Sequence, residues 1–321
     1  MTKEVELKLF FKAQDYDLLV KILDSLDGLV PKQTKLLKNA YFDTKALQLR
    51  HWDMGLRIRS FENNTKEQTI KTAGQVAGGI HSRPEYNARC IGDVPDLSLF
   101  PVEIWPKNTQ FAKLQEELYC LFETNFKRNI WIAKQGVSQI EVALDQGDII
   151  AGSNHESLCE LELELQNGEE ASLLSLAADI ALKIAVRLGK ASKAQRGYRL
   201  GGNSALASVA DLKPLPVLAS SCEKEERTAA IGLALENWQV LDGLLSAAAD
   251  IATEAELWSR FKSNLSYIDS SLEPLGWQAL NIMPCWTLLI LELNRQGRLI
   301  QQWHSLAYGQ AQLALVNLLR D

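Results

Sequence analysis

The stretch Cys159-Glu160-Leu161-Glu162-Leu163-Glu164-Leu165 alternates strictly between leucine and carboxylate after its first residue. A period of two is that of a β-strand, whose successive side chains point to opposite faces. One face of this strand is therefore apolar, and the other carries three carboxylates. Like charges at every second position repel and have no local counter-charge, so such a face is unfavourable unless cations lie against it.

Other segments supply those cations. Gly55-Leu56-Arg57-Ile58-Arg59 places two arginines on one face, followed by Lys71 in Thr69-Ile70-Lys71. Arg83 and Glu85 share a face, as do Glu141 and Asp145 in Ile140–Asp145, and Phe126-Lys127-Arg128 adds Arg128. Near the start, Glu4, Glu6 and Lys8 alternate with Val5, Leu7 and Leu9. One E-x-E-x-K strand is commonplace as a solvated sheet face. Charge sorted by sign from strand to strand is not.

Eight segments read as strands: Thr2–Lys12, Leu36–Asp43, Gly55–Glu62, Glu67–Ala73, Ile80–Ile91, Asn125–Lys134, Ser138–Ile149 and Glu156–Leu165. Helices are expected at Asp15–Leu26, stopped by Gly28, and at Glu170–Leu188, stopped by Gly189. Eight strands suffice to close a barrel, which removes exposed edges. The expected fold is α+β, an eight-stranded antiparallel closed β-barrel with flanking helices, followed by a small all-α domain. The charged faces would point inward and line a tunnel. Val5, Leu7, Leu56, Ile58, Leu161 and Leu163 would face outward beneath the helices. The first domain is expected over 1–202, a linker with Pro214 and Pro216 over 203–219, and a helical domain over 220–321. Its helices read as Glu223–Ala248, Thr253–Leu272 with a Thr253/Glu256 capping box, Cys285–Asn294 and Arg298–Leu319.

Composition narrows the partners. The 321 residues hold 34 Lys+Arg against 40 Asp+Glu, a formal charge of −6. That balance disfavours nucleic acid, which selects for surplus cations. The charged N-terminus lacks an apolar signal core, and the apolar stretch near Cys285–Leu293 is too short to span a bilayer. A cytoplasmic protein without membrane or nucleic-acid partners is expected. Cys90, Cys120, Cys159, Cys222 and Cys285 are scattered and form no C-x-x-C pair, so reduced core thiols are expected. His51, His81 and His155 lack metal-ligand spacing, and Gly74–Gly79 reads as a hairpin loop without the Lys-Ser/Thr of a P-loop. Trp238, Trp258, Trp277, Trp286 and Trp303 read as core and interface anchors.

Clustered carboxylates suit a hard divalent cation such as Mg²⁺ or Mn²⁺. Arginines give bidentate contacts to phosphate oxygens, and lysines give point charges. Neither set is stable alone in a low-dielectric interior. The two together imply an elongated polyanion, a phosphate chain held along its length.

Several ordered motifs carry a family resemblance. Glu4-Val5-Glu6-Leu7-Lys8 resembles the E-x-E-x-K signature of CYTH domains, the triphosphate tunnel metalloenzymes. Tyr41–Thr44, Asp53–Arg59, Arg83–Asn87, Ile140–Gly147, the Glu160–Glu164 ladder and Ser192–Tyr198 continue the resemblance across residues 1–200. It extends to bacterial inorganic triphosphatases in which a helical CHAD domain follows. The resemblance implies that Glu4, Glu6, Glu160 and Glu162 hold the metal, with Glu164 extending the ladder. It implies that Lys8, Arg57, Arg59, Lys71, Arg83 and Arg128 clamp phosphates, and that Lys193 and Arg196 join from a C-terminal plug. Glu85, Asp145 and Glu141 are the acids it offers for a second metal or for orienting water, Glu85 first.

The implied reaction is metal-dependent hydrolysis of tripolyphosphate to diphosphate and phosphate. Hydrolysis of thiamine triphosphate, cyclisation of ATP, and a non-catalytic polyphosphate-binding scaffold are the alternatives. Residues 203–321 depart from the CHAD pattern, with one histidine, His304, and 8 Lys+Arg against 13 Asp+Glu. They read as a short, degenerate CHAD-like module, unsuited to polyphosphate and available for protein contact.

Overall fold

The structure is a computed structural model that describes residues 2–77, 80–203, 208–246, 251–279, 281–296 and 305–320. Side chains at 2–4, 75–77, 80–82, 246, 251, 277–279, 295 and 296 lie outside the description. The strands are β1 (Thr2–Phe10), β2 (Leu29–Asp43), β3 (Gly55–Ser60), β4 (Lys66–Lys71), β5 (Gln75–Ala77), β6 (Ile80–Cys90), β7 (Tyr119–Gln135), β8 (Ser138–Ala151), β9 (Asn154–Asn167) and β10 (Arg187–Leu188). They form one ten-stranded sheet in the order β10-β1-β9-β8-β7-β2-β3-β4-β6-β5, and β1 pairs additionally with β6 from Thr2↔Glu85 to Leu7↔Ile80. The fold is α+β with antiparallel pairing in every register described.

All eight expected strands are present, but the sheet is not a bare eight-stranded ring. Its order has two ends, β10 and β5, because two short strands add to β1 and β6. One of them falls in the segment expected as the loop Gly74–Gly79. There Gln75–Ala77 pairs with β6, and Gly78 and Gly79 lie outside the described residues. The other replaces the end of an expected helix. Helix α4 stops at Ala181 rather than Leu188. Beyond it Ile184, Val186 and Leu188 are buried in alternation, and Leu188 pairs with Leu9. Apolar residues four apart fit a helical stripe and a strand face alike, so periodicity alone could not separate the two.

The chain packs as two units. One comprises Met1–Lys8, Lys12–Glu170 and Ala191–Ala205; the other comprises Leu9–Phe11, Ala171–Lys190 and Leu206–Asp321. In the first, the two sheet faces have different fates. Leu56, Ile58 and Ile70 pack with Leu97, Phe100, Trp105 and Leu114 from the 95–118 segment, which includes α3 (Phe111–Glu117). Leu37, Tyr41, Phe122, Phe126 and Leu158 belong to the other face, in register with the charged positions, and cluster with Tyr198 of α5 (Lys193–Leu200). An apolar floor thus abuts the charged residues. Val5 is half-buried, whereas Leu7, Leu161 and Leu163 are fully buried. Helix α1 (Tyr16–Ser25) and the single turn α2 (Gln48–His51) complete this unit.

The second unit holds α4 (Glu170–Ala181) from Ala171 onward, with α6 (Lys224–Ser246), α7 (Ile251–Leu272), α8 (Met283–Gln296) and α9 (Leu306–Leu318). Thr253 lies inside α7, two residues past its start, so it does not cap the helix. The expected helix at Arg298–Leu319 begins outside the described residues, and its described part starts after the Ser305 cap. Trp238 and Trp286 are fully buried, with Trp238 edge-on to Phe261, Trp286 and Tyr308. Trp258 stacks on Phe261. Trp277, Trp303 and His304 lie outside the described side chains. Among the described residues no helix is long and apolar enough to cross a membrane. The five cysteines are unpaired thiols.

Candidate functional site

The β7–β8–β9 registers bring three of the expected residues into one row. Arg128 lies opposite Asp145, and Asp145 lies opposite Glu160. Arg128 donates from Nε and Nη2 to the two oxygens of Asp145, at 2.7 and 2.6 Å, and from Nη2 to Glu162 at 2.5 Å. The geometry is the fork-on-fork match that makes guanidinium–carboxylate pairs strong. From β1, Lys8 Nζ sits 3.1 Å from Glu162, 3.7 Å from Glu160 and 3.9 Å from Glu6. Burial alone would lower the Lys8 pKa, but these carboxylates outweigh it and raise it.

Helix α5 adds two more cations. Its start is fixed by a capping box in which Ser192 and Gln195 satisfy each other's backbone N–H. Lys193 Nζ then lies 2.6 Å from Glu160, 2.8 Å from Glu162 and 2.9 Å from Asp145. Arg196 donates to Glu160 and Glu156, each at 2.7 Å, and to the Ser157 carbonyl. Arg199 reaches the second oxygen of Glu156 at 2.6 Å. Burial pushes Glu160 up, but Lys193, Lys8 and Arg196 hold its carboxyl at about 2. Two further details seat the helix. Gly197 packs so closely on the Phe122 ring that a Cβ would overlap it, and Tyr198 donates to Asp43 at 2.9 Å. Asp43, fully buried, also accepts the backbone N–H groups of Thr44, Leu49 and Arg50.

A second wall, from β3, β4 and β6, carries mainly positive charge. Lys71 Nζ is 2.9 Å and Arg57 3.8 Å from Glu85, while Arg83 is 3.7 Å from Asp53. Burial would raise the Glu85 pKa, but Lys71 and Arg57 bring it to about 2. Arg59 makes no ion pair within 4 Å among the described residues; its Nε donates to Asn39 at 2.8 Å. Burial, then Arg57, then Arg128 lower its guanidinium to about 9. The Nε of Arg83 is buried without a hydrogen-bond partner among the described residues. A guanidinium held beside like charges, as Arg59 is, favours an anion nearby.

The remaining expected residues divide. Glu4 is placed in β1 opposite Arg83, but its side chain lies outside the described set. Glu141 and Glu164 are cross-strand neighbours on β8 and β9, two steps from the Asp145–Glu160 pair. Glu141 has Lys32 at 3.4 Å, and Glu164 accepts from Gln166. His51 and His155 are exposed. Asn39, Asp53, Glu156, Lys32 and Arg199 were not singled out in the sequence. Glu156 stands two alternations before Glu160 on the same face, so extending the ladder would have found it. Asn39 has no such signal, since only the β2–β3 register sets it opposite Arg59.

The donor chemistry expected for Mg²⁺ or Mn²⁺ is present as hard carboxylate oxygens. Of the expected ligands, Glu4 lies outside the described side chains. Among the described residues no three Asp, Glu, His or Cys are grouped to hold an ion. Glu160 and Glu162 are each already engaged by Lys8, Lys193 and an arginine.

Comparison with known proteins adds an independent line. The inorganic triphosphatase of Haemophilus influenzae is 36% identical over 211 residues, which cover 64% of this chain and 57% of that protein. The chain therefore matches little more than half the length of that relative. Among solved structures, a Hippeastrum protein described as an adenylyl cyclase with dominant triphosphatase activity superposes with a TM-score of 0.44 at 19% identity. That alignment covers 61% of this chain and 95% of the other. A Bacillus halodurans protein assigned as an adenylate cyclase gives 0.38 at 18% identity, covering 61% and 98%. A family model for the CYTH domain matches residues 2–198, and that family implies a divalent metal. By that match, spanning more than half of its length, the chain belongs to the CYTH domain family.

Proposed function

We propose that this chain is a triphosphatase that hydrolyses inorganic tripolyphosphate to diphosphate and phosphate within a charged tunnel. The observation that carries this reading is Arg59, a half-buried guanidinium with no carboxylate within 4 Å among the described residues and with burial, Arg57 and Arg128 depressing its pKa. A group so placed is relieved by an anion, and its neighbours call for one with several charges in a row. The tunnel reading is supported by the β1–β6 pairing, which brings the first strand beside the sixth. The named relative supports the reaction class.

Phosphoryl transfer depends on positioning and charge stabilisation rather than on covalent chemistry by the protein. In this reading Arg57, Arg59, Lys71 and Arg83 grip one side of the phosphate chain, and Lys8, Arg128, Lys193 and Arg196 present fixed positive charge on the other. Charge developing on the bridging oxygen is stabilised by cations already oriented before the substrate arrives. Of the three candidate acids, Asp145 is consumed by Arg128 and Lys193, and Glu85 is held ionised by Lys71 and Arg57. Glu141, half-buried and facing Lys32, is the acid we assign to orienting the attacking water.

The test is release of phosphate and diphosphate from tripolyphosphate, thiamine triphosphate and ATP, with Mg²⁺, with Mn²⁺ and with chelator. Preferred turnover of tripolyphosphate is expected. Preferred turnover of an organic triphosphate would assign the chain to that substrate class, and tight binding without turnover of any would make it a scaffold.

A further inference from the structure

Asn39 lies inside β2, where asparagine is disfavoured because its amide competes with the ladder for backbone partners. Its side chain is nevertheless buried, so the polar atoms it brings inside need partners. Those partners fix its orientation. Its Nδ2 donates to the Thr124 carbonyl at 3.0 Å and to Thr124 Oγ1 at 3.2 Å. Thr124 is fully buried and lies opposite Asn39 on β7. A carbonyl only accepts, so the amide nitrogen faces β7 and the amide oxygen faces β3. There the oxygen accepts from Arg59 Nε, which only donates, at 2.8 Å. One strand thus holds the amide, and the amide holds a guanidinium on the next.

The chemistry of the partner matters as much as its place. Arg128 is held by carboxylates, with Nε and Nη2 both given to Asp145 and Nη2 also to Glu162. A carboxylate fixes a guanidinium and cancels its charge together, whereas an amide fixes it and leaves the charge. In Arg59 the amide takes Nε, and among the described residues neither Nη group has a hydrogen-bond partner. Around it stand Arg57 on its own strand, Arg128 and Asp145 on β7 and β8, Tyr41 on β2 and, opposite in register, Glu67 on β4. We infer that Asn39 is a positioning residue for Arg59, a neutral acceptor that aims its two Nη groups at the phosphate chain without cancelling their charge. A side chain already held in place loses less freedom when the ligand arrives, so the role shows in affinity. The inference rests on the triphosphate reading of the site.

The experiment is calorimetry of tripolyphosphate binding to the full chain with Mg²⁺, at pH 7 and through the alkaline range. Asn39→Leu should bind about 3–10-fold more weakly at pH 7, the worth of one neutral hydrogen bond. It should also lower the pH at which affinity falls, because an acceptor favours the charged guanidinium and its loss disfavours it. In an Arg59→Gln background the same substitution should have no further effect, since no guanidinium remains to be aimed. Equal losses in both backgrounds, or an unmoved alkaline step, would overturn the inference and leave Asn39 a structural residue. Asn39→Asp keeps the test decisive if the leucine variant does not fold. It retains the acceptor and adds a charge, so it should raise the pH of the alkaline step while weakening binding at pH 7. An alkaline step at or below that of the parent would overturn the inference. Failure of the parent itself to bind tripolyphosphate would overturn the triphosphate reading as well. Binding by the parent that neither substitution alters would overturn the positioning role alone.

Discussion

Arg128 and Asp145 face each other across β7 and β8 and are joined by two parallel hydrogen bonds, with the carboxylate fully buried. Asp145 also receives Lys193 at 2.9 Å, so a strand and a helix converge on one side chain. Asp145→Asn keeps the shape and removes the charge that balances two buried cations. The expected loss is about 3–5 kcal/mol of stability, read from denaturant unfolding. A variant as stable as the parent would show that the pair does not hold α5 in place.

Arg59 is costly to the fold and useful to an anion. Its guanidinium is lowered to about 9, so the folded state binds fewer protons than the unfolded state above that pH. The cost of keeping it charged is thus fully present below about 9 and relieved as pH rises through that value. Tripolyphosphate affinity should therefore be level near neutrality and fall as the solution passes about pH 9. Arg59→Gln should bind roughly 10–100-fold more weakly at pH 7, the loss of one charge-assisted hydrogen bond, and lose that alkaline step. Calorimetry across the pH series checks both outcomes.

Glu85 and Glu160 titrate in the other direction. Each is held at about 2, below the ordinary carboxylate value of roughly 4.3. Their contribution to stability is complete above the ordinary value and is lost as pH falls towards 2. The steep part of acid unfolding should lie in that window. In Glu85→Gln the slope there should be shallower, while stability at pH 7 changes less than in Asp145→Asn. An unchanged slope would remove Glu85 from the carboxylates whose ion pairs stabilise the fold.

The seat of α5 makes a packing prediction. A Cβ on Gly197 would overlap the Phe122 ring, which is stacked on Tyr41 with centroids 4.6 Å apart and has no room to withdraw. Gly197→Ala should cost about 1–3 kcal/mol through overpacking. Combining it with Phe122→Leu should recover part of that loss in a thermal melt. Failure of the double variant to exceed the single one would place the strain elsewhere.

In the helical unit, Trp238 donates to the Tyr308 hydroxyl at 2.7 Å, and that hydroxyl donates to Asp242, which also pairs with Arg187. Tyr308 and Trp238 are fully buried. Tyr308→Phe leaves a buried donor without its acceptor and should cost about 1–3 kcal/mol, measured by denaturant unfolding. Trp238→Leu in the same background should cost less than in the parent, because the stranded donor is gone.

Much of this protein is legible in its alternations. The Glu160–Leu165 ladder, the Glu4–Leu9 pattern and the Arg57/Arg59 pair announce strands with a charged face, because period two is a local property of the chain. The same locality explains the misses. Ile180, Ile184 and Leu188 fit helical spacing, but the helix ends at Ala181 and pairing with β1 makes Arg187–Leu188 a strand, and Asn39 meant nothing before the β2–β3 register placed it under Arg59. The sequence by itself therefore determined which residues share a face, and hence that acids and bases would be gathered on walls. Only the tertiary structure decided how the charges are spent. Ion pairing falls off within a few ångströms, and the 2.5–2.9 Å approaches of Arg128 and Lys193 to Asp145, Glu160 and Glu162 are set by strand register and helix seating. Those distances make the ladder's carboxylates the counter-charge of Lys8, Arg128 and Lys193.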